Sequence, residues 1–292
     1  MSSVKKTTAD LEKNRVEAGT LYLVATPIGN LADLSERAIK VLSDVDLIAA
    51  EDTRNSMRLL SHLGISKPMI SYFEHNKRER GEQIAQKLEA GQSCALITDA
   101  GTPAISDPGE DIVALCAERG IPVTSIPGPV ASIVALTLSG LPTGRFTFEG
   151  ILSVNKGERR ARLAELKGEM RTMLFHEAPH KLIATLEDLS ASFGDSRRIA
   201  ICRELTKKNE EILRMTLGEA LAYYREHDPR GEYVLVVEGS QGASAAPAFW
   251  EGMEIEEHVN YHIGRGMSKM DAIKLTAKER GVHKNEVYQK MI

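Results

Sequence analysis

The sequence predicts an α/β protein of two domains with a small helical appendage, and three observations carry that prediction. From Gly19 to Ser139 short β-rich runs alternate with amphipathic stretches, the pattern of strand, loop and helix in series. Beyond Gly140-Leu141-Pro142 some successive strands leave no room for a crossover helix, which calls for antiparallel pairing. The chain has 292 residues, where a single domain averages roughly 150. Hydrophobic residues at 42% and charged residues at 27% supply a substantial core, so neither a disordered chain nor a coiled-coil rod fits.

Residues 19–139 make the first domain. A strand over 21–25 leads into Thr26-Pro27-Ile28-Gly29-Asn30 and a helix to Leu42, in which Asp33 and Glu36 have capping-box spacing and Leu34, Ala38, Val41 and Leu42 share a face. A second strand, 47–50, runs into Glu51-Asp52-Thr53-Arg54 and a helix that Gly64 closes as a left-handed cap. The third pair is 69–73 and 79–88. The fourth strand, 95–98, precedes Asp99-Ala100-Gly101-Thr102-Pro103 and a helix over 110–119 that stops at Gly120. The fifth, 123–126, ends in Pro127-Gly128-Pro129 before a small-residue helix, 130–138. Five such units in series predict a mostly parallel sheet with helices on both faces.

The second domain, residues 140–239, has strands at 145–152, 172–175, 198–203, 211–216 and 233–237, with helices at 156–167, 181–189 and 219–227, so its sheet is mixed. Residues 240–250, rich in Gly, Ser and Ala, are a linker. Residues 251–292 form a helix-turn-helix-like module. Ser268 caps a helix with Ala272, Ile273, Thr276 and Ala277 inward, Gly281 makes the turn, and Lys284 starts a helix with Val287 and Tyr288 inward. From Gly264 to Ile292 seven Lys or Arg stand against three acids, a local basic excess suited to nucleic acid, although short helix pairs also serve as packing modules.

Charge and cysteines exclude several function classes. With 37 Lys and Arg against 41 Asp and Glu the formal net charge is −4, so no global positive field holds a polyanion and nucleic-acid contact has to come from local patches. Cys94, Cys116 and Cys202 are widely spaced and flanked by apolar residues; they read as buried thiols in a reducing compartment, with no disulfide or zinc framework. Residues 1–18 are polar without an apolar signal region, and no apolar run approaches the ~20 residues of a membrane span. They read as a disordered tail on a cytoplasmic protein without membrane contact.

In open parallel sheets ligands bind beyond the carboxyl ends of the strands. The loops there, 26–30, 51–55, 99–107 and 127–132, carry Gly and Pro where backbone approaches a ligand closely or holds a fixed turn. Singly each is also ordinary punctuation, but four on one sheet edge mark a site. There is no GxxxxGK[ST] and no GxGxxG after the first strand, which disfavours nucleoside triphosphate hydrolysis and ordinary dinucleotide binding. His176-Glu177-Ala178-Pro179-His180 matches the zinc-protease string H-E-x-x-H, which works only on a continuous helix. Pro179 and the strand-like 172–175 deny it that helix, and no metal is expected. Lys156, Arg159 and Arg160, with Lys207 beyond, form a local cationic cluster suited to a phosphate backbone; a solvated helix face has the same composition.

Taken together, Thr26-Pro27-Ile28-Gly29-Asn30-Leu31, Ala50-Glu51-Asp52-Thr53-Arg54, Asp99-Ala100-Gly101-Thr102-Pro103, Pro127-Gly128-Pro129, Glu177-Ala178-Pro179-His180-Lys181 and Arg203-Glu204-Leu205-Thr206-Lys207 resemble the tetrapyrrole methylase superfamily. Within it the chain is similar to the branch that 2′-O-methylates a cytidine of 16S ribosomal RNA with S-adenosylmethionine. The resemblance runs from Gly19 to Gly239, and the tail resembles the helix-turn-helix extension that many members carry. It implies a two-domain tetrapyrrole-methylase-like fold, S-adenosylmethionine between the domains, 16S rRNA or the assembled small ribosomal subunit as substrate, and a homodimer. Carried over residue by residue, it puts Ile28, Thr102, Pro103, Ile105, Ser132, Ile133, Ala178 and Leu205 around the cofactor, with Glu177 and Glu238 near it. His176 departs from the family pattern, where an aromatic such as Tyr is usual.

Methyl transfer to a ribose hydroxyl asks for alignment and a proton acceptor. Asp99, Glu51 and Asp52 are the candidates to accept the proton, with Asn30 and Arg54 orienting the ribose or binding phosphate; each acid is equally placed to cap a helix. Two alternatives remain. Methyltransferases acting on a porphyrinoid or a protein side chain usually show GxGxGD and GDP where this chain has Thr26 to Asn30 and Asp99 to Pro103. A ligand-sensing helix-turn-helix regulator predicts tight DNA binding without turnover.

Overall fold

The computed structural model describes residues 14–241, 249–250 and 252–291. Most of the expected tail, 1–13, and of the linker, 242–248, lies outside the described residues, as do residues 251 and 292 of the helical module. The chain divides into two compact units, Met1–Gly239 and Ser240–Ile292.

The first unit opens with β1 (Leu21–Val24), α1 (Glu36–Asp44), β2 (Leu47–Ala50), α2 (Thr53–His62), β3 (Met69–Ser71), α3 (Lys77–Glu89), β4 (Cys94–Ile97), α4 (Glu110–Glu118), β5 (Val123–Ile126) and α5 (Ala131–Leu138). The strands pair in parallel in the order β3-β2-β4-β1-β5. Alternation along each strand explains the layering. Tyr22, Val24, Ile48, Ala50, Ala95 and Ile97 face Ala38, Val41 and Leu42 of α1 and Leu60 of α2. Their neighbours Leu21, Leu47, Ala49, Cys94 and Leu96 face Ile84 and Leu88 of α3 and Ile112 and Cys116 of α4. A strand buried on both faces reads as a continuous apolar run, which is why 47–50 was legible as Leu-Ile-Ala-Ala.

One cap differs from expectation. Leu31–Asp33 forms a 3-10 turn capped by the Asn30 side chain, so Asp33 does not open α1. Ser35 does, its hydroxyl accepting from the Ala38 N–H at 3.1 Å. Gly64 and Gly120 take positive φ as stops, 69° and 67°.

The second sheet follows: β6 (Phe146–Gly150), α6 (Lys156–Leu166), β7 (Thr172–Glu177), α7 (Leu182–Phe193), β8 (Arg198–Arg203), β9 (Glu211–Thr216), α8 (Leu217–Glu226) and β10 (Tyr233–Val237). Its order is β6-β7-β10-β8-β9, with β6 and β7 parallel and the remaining pairs antiparallel. Leu163, Leu186, Leu189, Leu217 and Tyr224 of α6, α7 and α8 cover one face. Ala135 and Leu136 of α5 cover the other, against Leu174, Ala200, Val234 and Val236, so α5 packs on the second sheet although it follows a strand of the first.

Gly128, in the loop after β5, lets two strand-end loops touch. A Cβ there would lie 2.5 Å from Ala25 Cβ, a rigid methyl with nowhere to go. Gly128→Ala is therefore expected to cost roughly 2–3 kcal/mol, read as a lowered urea midpoint at unchanged m-value.

The second unit contains α9 (Ile255–Gly264), α10 (Lys269–Arg280) and α11 (Lys284–Lys290). Its core is Val259, Ala272, Ile273, Ala277 and Val287, with Thr276 also buried. Ser268 caps α10 and Gly281 ends it at φ 66°. Tyr288, expected inward, is 46% exposed, because Val287 takes the single inward position of the short α11. No helix among the described residues is long and apolar enough to cross a membrane.

Candidate functional site

In the first sheet β1 and β4 are neighbours, yet α1 after β1 covers one face and α4 after β4 the other. Loops that part to opposite faces leave a crevice between them. Here the two loops are pinned together: Thr26 N–H donates to Gly101 O at 2.9 Å and Gly101 N–H to Thr26 O at 3.0 Å. The Thr102 hydroxyl donates to Pro129 O at 2.9 Å and so ties in the loop after β5. Gly29 brings the β1 loop against the turn between β8 and β9, where a Cβ would meet Lys207 Cγ at 2.4 Å and Leu205 O at 3.1 Å.

These loops open onto a cavity of about 600 Å³ whose far wall is the second sheet. Ile28, Thr102, Ile105, Glu177, Ala178 and Leu205, all named from the sequence, line it. Asp107, Val130, Ala131, Ile151, Glu232 and Val234 line it too and were missed. Glu232 and Val234 carry no local signal; they arrive because antiparallel pairing sets Tyr233 opposite Glu177. Pro103, Ser132 and Ile133 do not line it. Glu238 lies at the other end of β10, past the Val237–Met173 pair, ion-paired with Arg198 at 2.5 Å.

Ile105 and Leu205 are each held between two left-handed residues, Ala104 and Ser106 at φ 67° and Glu204 and Thr206 at φ 51° and 66°. These are the non-glycine residues of positive φ among the described residues, and strain of this kind collects where a site needs it. Thr206 is β-branched, and its buried hydroxyl has no hydrogen-bond partner among the described residues. Thr206→Gly is expected to raise stability by about 1 kcal/mol, seen as a higher thermal midpoint.

The acids differ in setting. Glu177 is buried; its carboxylate accepts from the Ala178 N–H at 2.9 Å and from the Thr185 hydroxyl. Thr185 in turn accepts from Arg159 at 2.8 Å, and Arg159 also pairs with Asp188 at 2.5 Å. Arg159 is thus turned inward, its side chain 14% exposed, while Lys156 and Arg160 beside it are exposed. Burial, with the nearby charge of Glu51, pushes Asp107 up to about 6. Burial also raises Glu51, whose carboxylate faces the Asp99 N–H at 3.5 Å. Asp99 accepts from Asn55 at 3.0 Å. Asp52 caps α2 and pairs with the exposed Arg54 at 3.0 Å, and Asn30 is occupied as a cap.

Among the described residues no Lys or Arg lines the cavity, and Lys207 is engaged with Glu204 and Glu232 at 2.9 and 2.8 Å. His176 lines it with Nε2 buried and unpartnered among the described residues, and burial lowers its pKa, so it meets a ligand as a neutral ring. The string His176 to His180 is a strand end followed by a 3-10 turn, not a helix. In the second unit Arg280 is turned inward, donating to Met253 O at 2.5 Å, so the basic excess there is smaller at the surface than in the sequence.

Comparison with known proteins follows the same lines. The family model of tetrapyrrole (corrin/porphyrin) methylases matches residues 20–221. A Synechocystis sp. protein named ribosomal RNA small subunit methyltransferase I is 46% identical over 93% of this chain and 96% of its own length. The Bacillus subtilis protein of that name is 44% identical over 93% and 94%. Among solved structures, uroporphyrin-III C-methyltransferase from Thermus thermophilus, in complex with S-adenosylhomocysteine, superposes with a TM-score of 0.53 at 18% identity over 75% of this chain and 97% of its own. Diphthine synthase gives 0.58 at 14% identity, over 75% and 89%. At these identities the structural likeness speaks for the fold alone.

Proposed function

The chain belongs to the tetrapyrrole (corrin/porphyrin) methylase family, within the group named ribosomal RNA small subunit methyltransferase I, and on that premise we propose that it is an S-adenosylmethionine-dependent methyltransferase that modifies the 2′-oxygen of a cytidine ribose in 16S rRNA. The observation that carries the cofactor is the cavity's charge. Its walls are mainly apolar, its carboxylates include Asp107 and Glu177, and among the described residues no Lys or Arg lines it, which suits a sulfonium and an ammonium and repels phosphate. The unpartnered Nε2 of His176 offers a ligand one further polar contact. Thermus thermophilus uroporphyrin-III C-methyltransferase, of the same fold, is known with S-adenosylhomocysteine bound.

When bound, the cofactor supplies an electrophilic methyl on sulfur. The protein's part is to align, to dry the site and to take one proton. Ile28, Ile105 and Leu205 give apolar walls that exclude water, and the two left-handed pairs hold Ile105 and Leu205 in place. Asp107, with its pKa near 6, is ionised at neutral pH yet basic enough to accept the hydroxyl proton as the oxygen–methyl bond forms. Glu51 and Asp99 stand behind it as neighbouring charges that keep it basic. Exposed Lys156, Arg160 and Arg54 serve the RNA backbone, whereas Arg159 acts inside, through Thr185, on Glu177. The homodimer implied by family resemblance finds support in the exposed apolar side chains of Phe146, Phe148, Ile151 and Val154 on and after edge strand β6.

The test is incubation of the protein with methyl-labelled S-adenosylmethionine and small ribosomal subunits from cells lacking the enzyme, followed by nuclease digestion and mass spectrometry. Label on a cytidine ribose is expected. Label on a base, or cofactor binding with no label on subunits or naked rRNA, would overturn the reading.

A further inference from the structure

The second unit contains a cluster that the methyl-transfer site does not use. His258 and His262 lie one turn apart on α9, and Glu279 projects from the last turn of α10. His258 is fully buried and His262 nearly so, while the Glu279 side chain is 30% exposed and gives the cluster its opening to solvent. Nε2 of His258 and Nε2 of His262 stand 2.9 and 2.8 Å from the same Glu279 oxygen, and 3.1 Å from each other. Among the described residues this is the group of His, Cys, Asp and Glu whose ligand atoms converge closely enough for one ion.

Protons and a metal ion are two ways to hold the same triangle of atoms. Arg280 Nε donates to His258 Nδ1 at 3.1 Å, which puts that ring's proton on Nε2, pointing at Glu279. If His262 also carries its proton on Nε2, both N–H groups donate to the same Glu279 oxygen, with the two nitrogens 3.1 Å apart. If it does not, its lone pair faces the carboxylate at 2.8 Å. A cation at the centre accepts from all three atoms. Ligand bonds of about 2.0–2.2 Å in tetrahedral geometry place ligand atoms about 3.3 Å apart, so the triangle needs to open by only a few tenths of an ångström.

We propose that His258, His262 and Glu279 form a binding site for one divalent transition-metal ion, zinc by ligand type, that ties α9 to α10. Two imidazoles and one carboxylate are a borderline N/O set, which selects zinc and its first-row neighbours over magnesium or calcium. With Nε2 on the metal, His258 holds its proton on Nδ1, and Arg280 turns from that nitrogen onto the carbonyls of Met253 and Glu254 that its Nη2 already meets. The ring of Trp250 stacks on His258 with centroids 5.4 Å apart, and Phe249 meets both imidazoles edge-on, so an apolar cover keeps the local dielectric low. The physical reason for such a site is the size of the module. Five buried hydrophobic residues are a small core for three helices, and a metal that cross-links two of them supplies what burial does not.

Trp250 is the one tryptophan of the chain and sits on the site, so it reports binding directly. The experiment uses the full chain, stripped with chelator, and titrates cobalt(II) and then zinc(II) while following tryptophan emission and visible absorption. Cobalt is expected to quench the emission at one equivalent per chain and to give the visible bands of a tetrahedral site without thiolate charge transfer; one equivalent of zinc is expected to restore the emission. Glu279→Ala, at a half-open position, is expected to keep the module's helical signal and weaken cobalt binding at least tenfold, and His262→Ala to do the same. Emission indifferent to both metals, quenching that survives Glu279→Ala, or a thiolate charge-transfer band would each overturn the proposal.

Discussion

Asp107→Asn is expected to lower the methyl-transfer rate by two to four orders of magnitude, the usual contribution of a positioned general base, and to lower cofactor affinity by much less, through the loss of one of the cavity's carboxylates. The cause is local. Burial and the charge of Glu51 lift this carboxyl from 3.8 to about 6, and Asn keeps its shape without its basicity. In the unsubstituted protein the rate should rise with pH through an apparent pKa near 6, and in the variant that limb should vanish. Stability should move the other way. A folded-state pKa above the ordinary value means that the folded chain binds the extra proton, so ionised Asp107 costs stability above pH 6, and the cost fades as pH falls from 6 towards 3.8. Asp107→Asn should therefore be more stable by about 1 kcal/mol above that window, after allowance for solvent screening of a half-exposed group, and should lose the advantage below it. Thermal midpoints of both proteins measured across pH, beside single-turnover rates, check the pair. A variant that turns over at full rate removes Asp107 from the chemistry.

Glu177→Ala is expected to weaken S-adenosylmethionine binding by one to two orders of magnitude. A hydrogen bond to a buried charged group contributes about 1.5–3 kcal/mol, and each 1.4 kcal/mol is tenfold in affinity. The substitution also strands Thr185, which now donates to Glu177 and accepts from Arg159. Thr185→Val should therefore reproduce part of the affinity loss without touching the cavity, because it frees the carboxylate to swing. Arg159→Lys should have a smaller effect of the same sign, since the guanidinium meets Asp188 through Nε and Thr185 through Nη2, a fixed fork that a single ammonium nitrogen does not reproduce. Calorimetric titration of the cofactor into the three variants checks the order. Equal affinity for all of them would place the cofactor's charge away from Glu177.

The legible part of this protein is whatever one strand or helix decides by itself. The run 47–50 is apolar at every position because both faces of β2 are covered, and β10 was readable in the same way, while β5, β8 and β9 showed as short β-rich runs between turn residues. Where two local signals competed, the nearer structure won. Asp33 and Glu36 have the spacing of a cap, but the 3-10 turn at Leu31–Asp33 uses up Asp33 and leaves the cap to Ser35, directly before Glu36. Basic side chains were legible as charges and not as directions: Arg159 and Arg160 are adjacent in sequence, yet one turns inward onto Thr185 and the other is exposed.

By itself, then, the sequence determined the α/β class, the strand-end loops that bear the site, and the family motifs, because helix and strand periodicity and turn chemistry act over a few residues. Only the tertiary structure decided that Asp107 shares a cavity with Glu177 and Val234, that Lys207 is spent on Glu204 and Glu232, and that His258 and His262 meet Glu279 across two helices. Those are meetings of residues far apart in the chain, and they depend on strand order, antiparallel register and helix packing, which no local pattern encodes.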